Sequence, residues 1–378
     1  MSQPPQEASK GTVLVTGANG YIAGQVILTL LSSGYAVRGT VRSLSRSKRL
    51  LDSDSPFYAH AASGRFELVE VPDITAAGAF DAALSGADSS TALTSIVHLA
   101  QPVVLDSTDA QYLSDVAVQG TLNLVSAAAT LSEQQHHHQQ RLKSFVFMSS
   151  IAAITAVPLG GHCSGVITAD MWSDTDVRAA GLRARGRAVP GPLAYAASKT
   201  AAERALWGFR AERAPRFAVA AVHPALVAGP AALRAAGPAD ARTSGGFVYA
   251  ILAGGDLPPR EALLGHGAHV DVRDVARLTA FAVEHPHRTD GRRLLAASSY
   301  VSPLAVAKVL REAYPERRGV IKGGGLAEGE GEGVRDDFAF PEEGPKYDTQ
   351  TVVELTGQDW IPFKKTILDA AEAYEVLL

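Results

Sequence analysis

The chain has 378 residues, of which 46% are hydrophobic and 20% are charged, with a formal net charge of -4 and a single cysteine. This length supports two or three lobes of about 150 residues each, and one cysteine excludes both an intramolecular disulfide and a thiolate metal cluster. The nearly balanced charge lacks the basic field with which proteins bind nucleic acid or anionic lipid, so we expect neither partner.

The first ten residues are polar and lack the apolar stretch of a signal peptide. No apolar run in the chain reaches the roughly 18 residues that a membrane-spanning helix needs. We therefore expect a cytoplasmic globular protein that does not enter a membrane.

The first strand–turn–helix unit carries a glycine spacing that is typical of nucleotide binding. A predicted strand over 12–16 runs into Gly17, and a predicted helix over 21–32 follows. In the spacing G-x-x-G-x-x-A, Gly17 allows a tight turn and Gly20 lets the backbone approach a pyrophosphate, which the helix N-terminus attracts. The predicted pyrophosphate residues are Gly17, Ala18, Asn19, Gly20, Tyr21 and Ile22. An ordinary glycine turn is the alternative.

The second predicted strand, over 35–41, leads into a basic turn. A cofactor with a free 2′-hydroxyl usually meets a carboxylate about 20 residues after the glycine turn, but 36–51 contains no Asp or Glu and five Arg or Lys residues. A guanidinium pairs well with a phosphate. Arg42 and Arg46 are therefore predicted to hold the 2′-phosphate of NADPH, with a solvated basic turn as the alternative.

Strands continue to alternate with helices up to residue 222, which predicts a parallel sheet covered by helices on both faces. The further expected strands are 66–71, 95–99, 144–148 and 217–222, and the further expected helices are 109–129 and 193–211. Beyond residue 223 the rhythm weakens into a smaller lobe. Its expected elements are a strand end and helix over 270–284, a strand over 293–297 and helices over 303–313 and 364–378. The expected loops are 133–140, 157–192 and 323–333.

Two later segments supply residues suited to acid catalysis. Strand 144–148 runs into Ser149 and Ser150, while Tyr195 and Lys199 share one helix face because they are four residues apart. A phenol titrates near about pH 10, and a neighbouring ammonium lowers its pKa. Tyr195 is predicted to donate a proton to a carbonyl oxygen that Ser150 holds. A surface pair is the alternative for Tyr195 and Lys199.

These motifs resemble the extended short-chain dehydrogenase/reductases, and within them the dihydroflavonol-reductase-like and yeast methylglyoxal-reductase-like carbonyl reductases. The resemblance covers nearly the whole chain. It implies an α/β fold, a Rossmann-type doubly wound parallel sheet with a smaller, mostly C-terminal substrate-binding lobe. The matching segments are TGANGYIAG (16–24), TVRS (40–43), VPDI (71–74), FVFMSS (145–150), YAASK (195–199), HPALVAGP (223–230) and HVDVRDVA (269–276).

The resemblance also implies a role for each matching residue. Ser150 would bind the substrate oxygen, Tyr195 would be the general acid, and Lys199 would tune Tyr195 and hold the nicotinamide ribose. Arg42 and Arg46 would hold the 2′-phosphate. The other implied cofactor residues are Asp73 and Ile74 at the adenine, Ala100 after the fourth strand, and Pro224 to Val227 near the nicotinamide amide.

The implied domains follow the same pattern. Residues 1–10 would be a polar tail, and 11–224 would form the NADP-binding domain with a lid-like insertion over 155–192. Residues 225–378 would form the substrate lobe, from which about 268–297 returns to the first domain. Within that return, 272–274 resembles a structural link between the lobes.

Three departures from the family pattern bear on the substrate. Gln101 stands where serine is frequent, His223 stands where asparagine is usual before Pro224, and the interval between Ser150 and Tyr195 is long. Gln101 would bring an amide near the substrate. The substrate itself is left open.

No metal site is predicted. His136, His137 and His138 lie in a Gln-rich stretch without an acid at ligand spacing, which favours a solvated loop. No pattern around Cys163 indicates a nucleophile. His98 lies inside an apolar strand, so it is expected to be a core or cofactor-lining residue.

The sequence thus predicts an NADPH-dependent reductase of a small aldehyde or ketone, a monomer or homodimer, acting in secondary metabolism or carbonyl detoxification. An epimerase, a dehydratase or a hydroxysteroid dehydrogenase/isomerase, which would use the cofactor transiently, is the second hypothesis. A non-catalytic NADPH-binding regulator is the third, and the combination of Ser150, Tyr195 and Lys199 argues against it because a sensor needs no tuned phenol.

Overall fold

A computed structural model describes residues 9–85, 92–102, 109–135, 141–155, 165–241, 243–257, 267–323, 338–340 and 345–378. The strands are β1 (Thr12–Thr16), β2 (Ala36–Val41), β3 (Phe66–Glu70), β4 (Leu93–His98), β5 (Ser144–Met148), β6 (Val166–Ile167), β7 (Ala218–Pro224), β8 (Leu226–Ala228), β9 (Ala268–Asp271), β10 (Arg293–Ala296), β11 (Ser299–Tyr300) and β12 (Lys346–Tyr347). The helices are α1 (Tyr21–Ser32), α2 (Tyr58–Ala62), α3 (Asp81–Leu84), α4 (Ala110–Gln134), α5 (Thr175–Ala184), α6 (Gly191–Arg213), α7 (Gly246–Leu252), α8 (Val272–Glu284), α9 (Pro286–Thr289), α10 (Pro303–Ala313), α11 (Gln350–Thr356) and α12 (Phe363–Tyr374).

Seven strands form one parallel sheet in the order β10-β7-β5-β4-β1-β2-β3. Every residue of β1, β4 and β5 is buried, as expected for central strands that are covered on both faces. The strand order reverses beside β1, and ligands of such sheets bind at the carboxyl ends of the strands where the order reverses. The predicted doubly wound α/β fold is confirmed.

Helices cover both faces of this sheet. Helix α1 packs against α8 on one face, and α4 packs against α6 on the other. On α1 the residues at helical spacing, Val26, Ile27 and Leu30, are fully buried in the core beneath the first face. Because α6 lies along the sheet, the side chains near its N-terminal end are held close to the carboxyl end of β5.

The smaller lobe has its own core, which α7, α10 and α12 enclose. A three-stranded sheet of β11, β9 and β8 lies beside it. Arg273 at the start of α8 donates to Asp369 on α12 at 2.6 Å, and the Ile361 backbone N–H donates to Asp274 at 2.8 Å. Residues 273 and 274 thus tie α8 to the C-terminal segment that contains α12, and their role as a link between the lobes stays a prediction.

Two expectations about irregular segments are wrong. Within 157–192, residues 175–184 form helix α5, and within the Gly-, Ala- and Pro-rich stretch after β8, residues 246–252 form helix α7. Helix α5 has only ten residues, too few to be stable alone, and it is stabilised by packing on α6, with Ala179 buried in a small cluster. Tertiary packing thus outweighs a weak local pattern, and part of the expected lid is a helix packed on the main domain.

Several segments named above lie outside the described residues: His136 to His138, Cys163 and nearly all of 323–333. Among the helices that the structure does describe, none is both long enough and apolar enough to span a bilayer.

Candidate active site

The end of β1 and the end of β4 are tied together at the predicted phosphate turn. The Thr16 hydroxyl accepts hydrogen bonds from the backbone N–H groups of Leu99 at 3.0 Å and Ala100 at 2.9 Å. Gly17 has φ of +70°, and a Cβ there would lie 3.3 Å from the Ala100 Cα. Glycine at this turn therefore meets both a left-handed backbone and a close neighbour.

Helix α1 begins directly after this turn, and no side chain caps its N-terminus at Gly20. Uncapped N–H groups at a helix start are suited to a pyrophosphate. The predicted set is nevertheless too broad, because the Ala18 backbone N–H donates to the Thr40 carbonyl at 2.8 Å. The Tyr21 hydroxyl donates to the Gly229 carbonyl at 2.8 Å, so its side chain holds the loop after β8. The backbone N–H of Ala18 and the side chain of Tyr21 are thus already engaged. The backbone amides of Asn19, Tyr21 and Ile22 remain as the better candidates for binding the pyrophosphate.

The basic residues in and after β2 fall into two groups, those that pair with a carboxylate and those that do not. Arg38 is buried and pairs with a carboxylate on β3, and Arg49 pairs with Asp240 at 2.8 Å. Arg42 and Arg46 are exposed and make no hydrogen bond or ion pair to the part of the chain that the structure describes. The two guanidinium groups predicted for the 2′-phosphate are therefore available to bind it.

Asp73 and Ile74 form the turn that follows β3. One Asp73 oxygen accepts hydrogen bonds from the Thr75 backbone at 2.8 Å and hydroxyl at 2.7 Å, which lower the pKa of Asp73 below its usual value. Ile74 packs on α4 at Gly120, where a Cβ would lie 2.5 Å from the Ile74 Cδ1. This packing fixes the turn, and contact with an adenine stays a prediction.

The structure brings the three predicted catalytic residues together. Ser150 follows β5, and its hydroxyl lies beside the phenol of Tyr195 on α6, close enough to lower the pKa of that phenol. The Lys199 ammonium donates to the Met148 carbonyl at 3.0 Å, so the same helix is tied to the end of β5. The Ser150 oxygen also accepts the Ala152 backbone N–H at 3.2 Å, which orients the serine side chain.

Lys199 is not among the causes that shift the pKa of Tyr195 in this structure, so its expected tuning of Tyr195 stays a prediction. Burial raises the pKa of Tyr195, and the neighbouring Ser150 hydroxyl only partly opposes it. Burial lowers the pKa of Lys199 to about 7, while Glu203 opposes that change. The Met148 carbonyl and the Phe147 ring, whose centroid is 5.9 Å from the amine, favour its charged form, so it is the loss of water around this buried side chain that lowers the pKa. Tyr195 therefore keeps its proton at neutral pH and is suited to donate it.

The strand ends beside Ser150 complete the floor of the site. Strand β7 pairs with β5, and the Ser149 backbone N–H donates to the Val222 carbonyl at 2.9 Å. Pro224 closes β7, and Val227 in β8 is buried. Both residues thus lie at the same carboxyl edge of the sheet as Ser150, although their contact with a nicotinamide stays a prediction.

Gln101 carries an amide without a partner at this edge. Both of its polar side-chain atoms are buried, and neither has a hydrogen-bond partner among the described residues. In the register of β4 and β5, His98 lies opposite Phe147, so Gln101 and Ser150 each stand three residues past that pair. A buried, unpaired amide is costly, which favours a ligand or a water molecule beside it.

His98 is a core residue, as expected. Its Nδ1 is hydrogen-bonded to the Thr16 hydroxyl at 2.9 Å, and burial lowers its pKa to about 3. The described residues contain no group of three or more His, Cys, Asp or Glu side chains arranged to hold a metal.

Sequence reasoning missed a buried carboxylate behind the site. Glu203 stands four residues after Lys199 on α6, and its side chain is fully buried against His223 and Arg293. The spacing Y-x-x-x-K-x-x-x-E was a visible signal, since it places a third ionisable group on the face of Tyr195. It was overlooked because its partners lie on distant strands.

Comparisons with known proteins agree with this geometry. Residues 13–162 match the model of the NAD dependent epimerase/dehydratase family. The chain is 30% identical over 307 residues to aldehyde reductase 2 of Sporidiobolus salmonicolor, covering 81% of this chain and 82% of that protein. It is 28% identical over 365 residues to a Candida albicans protein named as an NADPH-dependent methylglyoxal reductase, covering 96% and 98%. The crystal structure of yeast methylglyoxal/isovaleraldehyde reductase complexed with NADPH superposes with a TM-score of 0.77 at 25% identity, covering 96% of this chain and 97% of that one.

Proposed function

The chain belongs to the NAD dependent epimerase/dehydratase family of extended short-chain dehydrogenase/reductases, and we propose that it is an NADPH-dependent reductase of aldehydes or ketones. The observation that carries the proposal is the placement of the Ser150 hydroxyl beside the Tyr195 phenol at the carboxyl edge of the sheet. It pairs a proton donor with a second hydroxyl that can bind the same oxygen. The free cations at Arg42 and Arg46 and the uncapped start of α1 support NADPH as the cofactor.

The protonation states favour reduction over oxidation. Because the pKa of Tyr195 is raised, the phenol carries its proton at neutral pH and donates it to the carbonyl oxygen. The Ser150 hydroxyl holds that oxygen in place as negative charge develops on it. Bound NADPH would supply the hydride for the carbonyl carbon. The phenolic proton on oxygen then completes the alcohol.

Other residues of the chain would hold the cofactor without taking part in proton transfer. Lys199 is expected to hold the nicotinamide ribose, since its buried ammonium lies one helical turn from Tyr195. The amides at the start of α1 would bind the pyrophosphate. Arg42 and Arg46 would bind the 2′-phosphate.

We expect Arg42→Ala to lower the preference for NADPH over NADH by about tenfold to a hundredfold, because a charge-assisted contact with phosphate contributes about 1.5–3 kcal/mol. The preference is measured as the ratio of the two kcat/KM values. Arg49→Ala is the matched control, since Arg49 lies in the same turn but pairs with Asp240. An unchanged ratio in Arg42→Ala would remove Arg42 from the 2′-phosphate site.

The function is tested by following NADPH oxidation with a panel of aldehydes, α-diketones, flavanonols and polyketide-like ketones. Because the Gln101 amide has no hydrogen-bond partner among the described residues, each simple carbonyl should be paired with an analogue that carries a second oxygen beside the reacting carbon. We expect stoichiometric NADPH consumption and a higher kcat/KM for the oxygenated member of a pair. An epimerase or dehydratase would turn over without net consumption, and a regulator would bind NADPH and reduce nothing.

The proposal includes a cytoplasmic enzyme that acts on small molecules as a monomer or homodimer. The carbonyl substrates in the names of the related reductases support a small-molecule substrate. Sedimentation of the purified protein with and without NADPH measures the oligomeric state.

A further inference from the structure

One carboxylate lies at the centre of the buried polar contacts behind the proposed site. The side chain of Glu203 is fully buried and accepts hydrogen bonds from four side chains. The donors are the Ser149 hydroxyl at 2.6 Å, the His223 Nε2 at 2.7 Å, the Trp207 indole at 3.0 Å and the Arg293 Nε at 2.7 Å. A carboxylate so well satisfied holds its partners in one arrangement.

These partners come from separate strands. Ser149 follows β5, His223 lies in β7 and Arg293 begins β10. Glu203 itself is on α6, two turns from Tyr195 and one turn from Lys199. The carboxylate therefore links the helix that carries the proposed acid to the three neighbouring strands, and its contact at Ser149 is adjacent to Ser150.

Arg293 connects Glu203 to the chain segment that follows Ser150. Its guanidinium donates to the carbonyl groups of Ala153, Ala169 and Met171. It also stacks on the Trp172 ring, with its central carbon 3.9 Å from the ring centroid. The segment 169–172, part of the expected lid, is thus held to the same carboxylate.

We propose that Glu203 is the positioning residue of the reductase site, holding Ser150, Tyr195 and Lys199 in register through its bonds to Ser149, His223 and Arg293. This proposal rests on the proposed function. Because Glu203 is fully buried and its oxygens already accept hydrogen bonds from these side chains, we expect it to act only through its neighbours. A displacement of about 1 Å at such a site is enough to slow a reaction about a hundredfold.

Glu203 has a second effect, on charge. Burial would raise the pKa of Glu203, but its contacts with His223 and Arg293 lower it well below the usual value. The resulting anion raises the pKa of Lys199 and so opposes the loss of its proton by burial. The ionisable groups around Lys199 are Glu203 and Tyr195 on α6 and His98 on β4, while His223 and Arg293 act on it through Glu203.

The variants Glu203→Gln and Ser149→Ala separate the two effects. Glu203→Gln keeps the shape of the side chain but removes the charge, whereas Ser149→Ala removes one bond and keeps the charge. Glu212→Gln, an exposed change on the same helix, is the control. For each purified variant, circular dichroism checks the fold and fluorescence titration gives the Kd for NADPH. Steady-state assays then give kcat, KM and the pH profile of kcat/KM.

We expect kcat to fall about tenfold to a hundredfold in Glu203→Gln and severalfold in Ser149→Ala, with the Kd for NADPH within about threefold of wild type. If Lys199 must be protonated, activity falls as pH rises through its pKa. Removing the nearby anion lowers that pKa, so the alkaline limb should move to lower pH by about half a unit or more in Glu203→Gln alone.

If Glu203→Gln has the kcat of wild type and the alkaline limb of its pH profile does not move, the positioning role is overturned and the reductase function is left intact. If Glu203→Gln does not fold, Ser149→Ala decides, and an unchanged kcat there overturns the role. If none of the carbonyl compounds in the panel supports NADPH oxidation by the wild-type protein, the proposed function is overturned and the role of Glu203 with it.

Discussion

Tyr195→Phe should lower kcat for carbonyl reduction by about 10²- to 10⁴-fold, the usual contribution of a positioned general acid. The substitution removes one hydroxyl, the group that lies beside Ser150 and carries the proton. Phenylalanine fills the same volume on α6, so the fold and the phosphate turn are unaffected. Stopped-flow measurement of NADPH oxidation gives the rate, and fluorescence titration should show NADPH binding within about threefold of wild type.

Tyr58→Phe is the matched control because Tyr58 is 47% exposed on the short helix α2, which leads into the opposite, amino end of β3. Its kcat should equal that of wild type. Turnover by Tyr195→Phe at the wild-type rate would mean that another group supplies the proton, and the proposed mechanism would be rejected.

Arg293→Ala should lower the free energy of unfolding by about 3–5 kcal/mol, the cost of leaving a buried charge without its ionic partner. Glu203 is fully buried and would keep its negative charge while losing the guanidinium. The three backbone carbonyl groups that Arg293 bonds would also lose a donor. Urea unfolding followed by circular dichroism measures the change.

Arg210→Ala is the control for this comparison. Arg210 pairs with Asp290 at 2.9 Å, but both side chains are more than a third exposed, and such pairs contribute about 0–1 kcal/mol. The double variant Glu203→Gln with Arg293→Ala should recover part of the stability, because the unpaired charge is gone. Equal losses of unfolding free energy in Arg293→Ala and Arg210→Ala would show that the buried ion pair contributes no more to stability than the exposed one.

The sheet and the phosphate turn could be predicted because their causes are local. Buried parallel strands read as continuous runs of Val, Ile, Leu and Phe, as in 144–148. The turn needs glycine at a left-handed position, so Gly17 marks it in the sequence. Helix α5 escaped prediction because its packing on α6 supplies the stability that so short a helix lacks on its own.

The sequence alone determined which chemical groups the chain offers: a glycine turn before a helix, free guanidinium groups after β2, and a phenol one helical turn from an amine. Only the tertiary structure decided their charge states and partners. Burial raises the pKa of Tyr195 and lowers that of Lys199 to about 7, and desolvation depends on neighbours from distant strands, which no local spacing encodes. For the same reason Glu203 became visible as a shared partner only when β5, β7 and β10 were seen side by side.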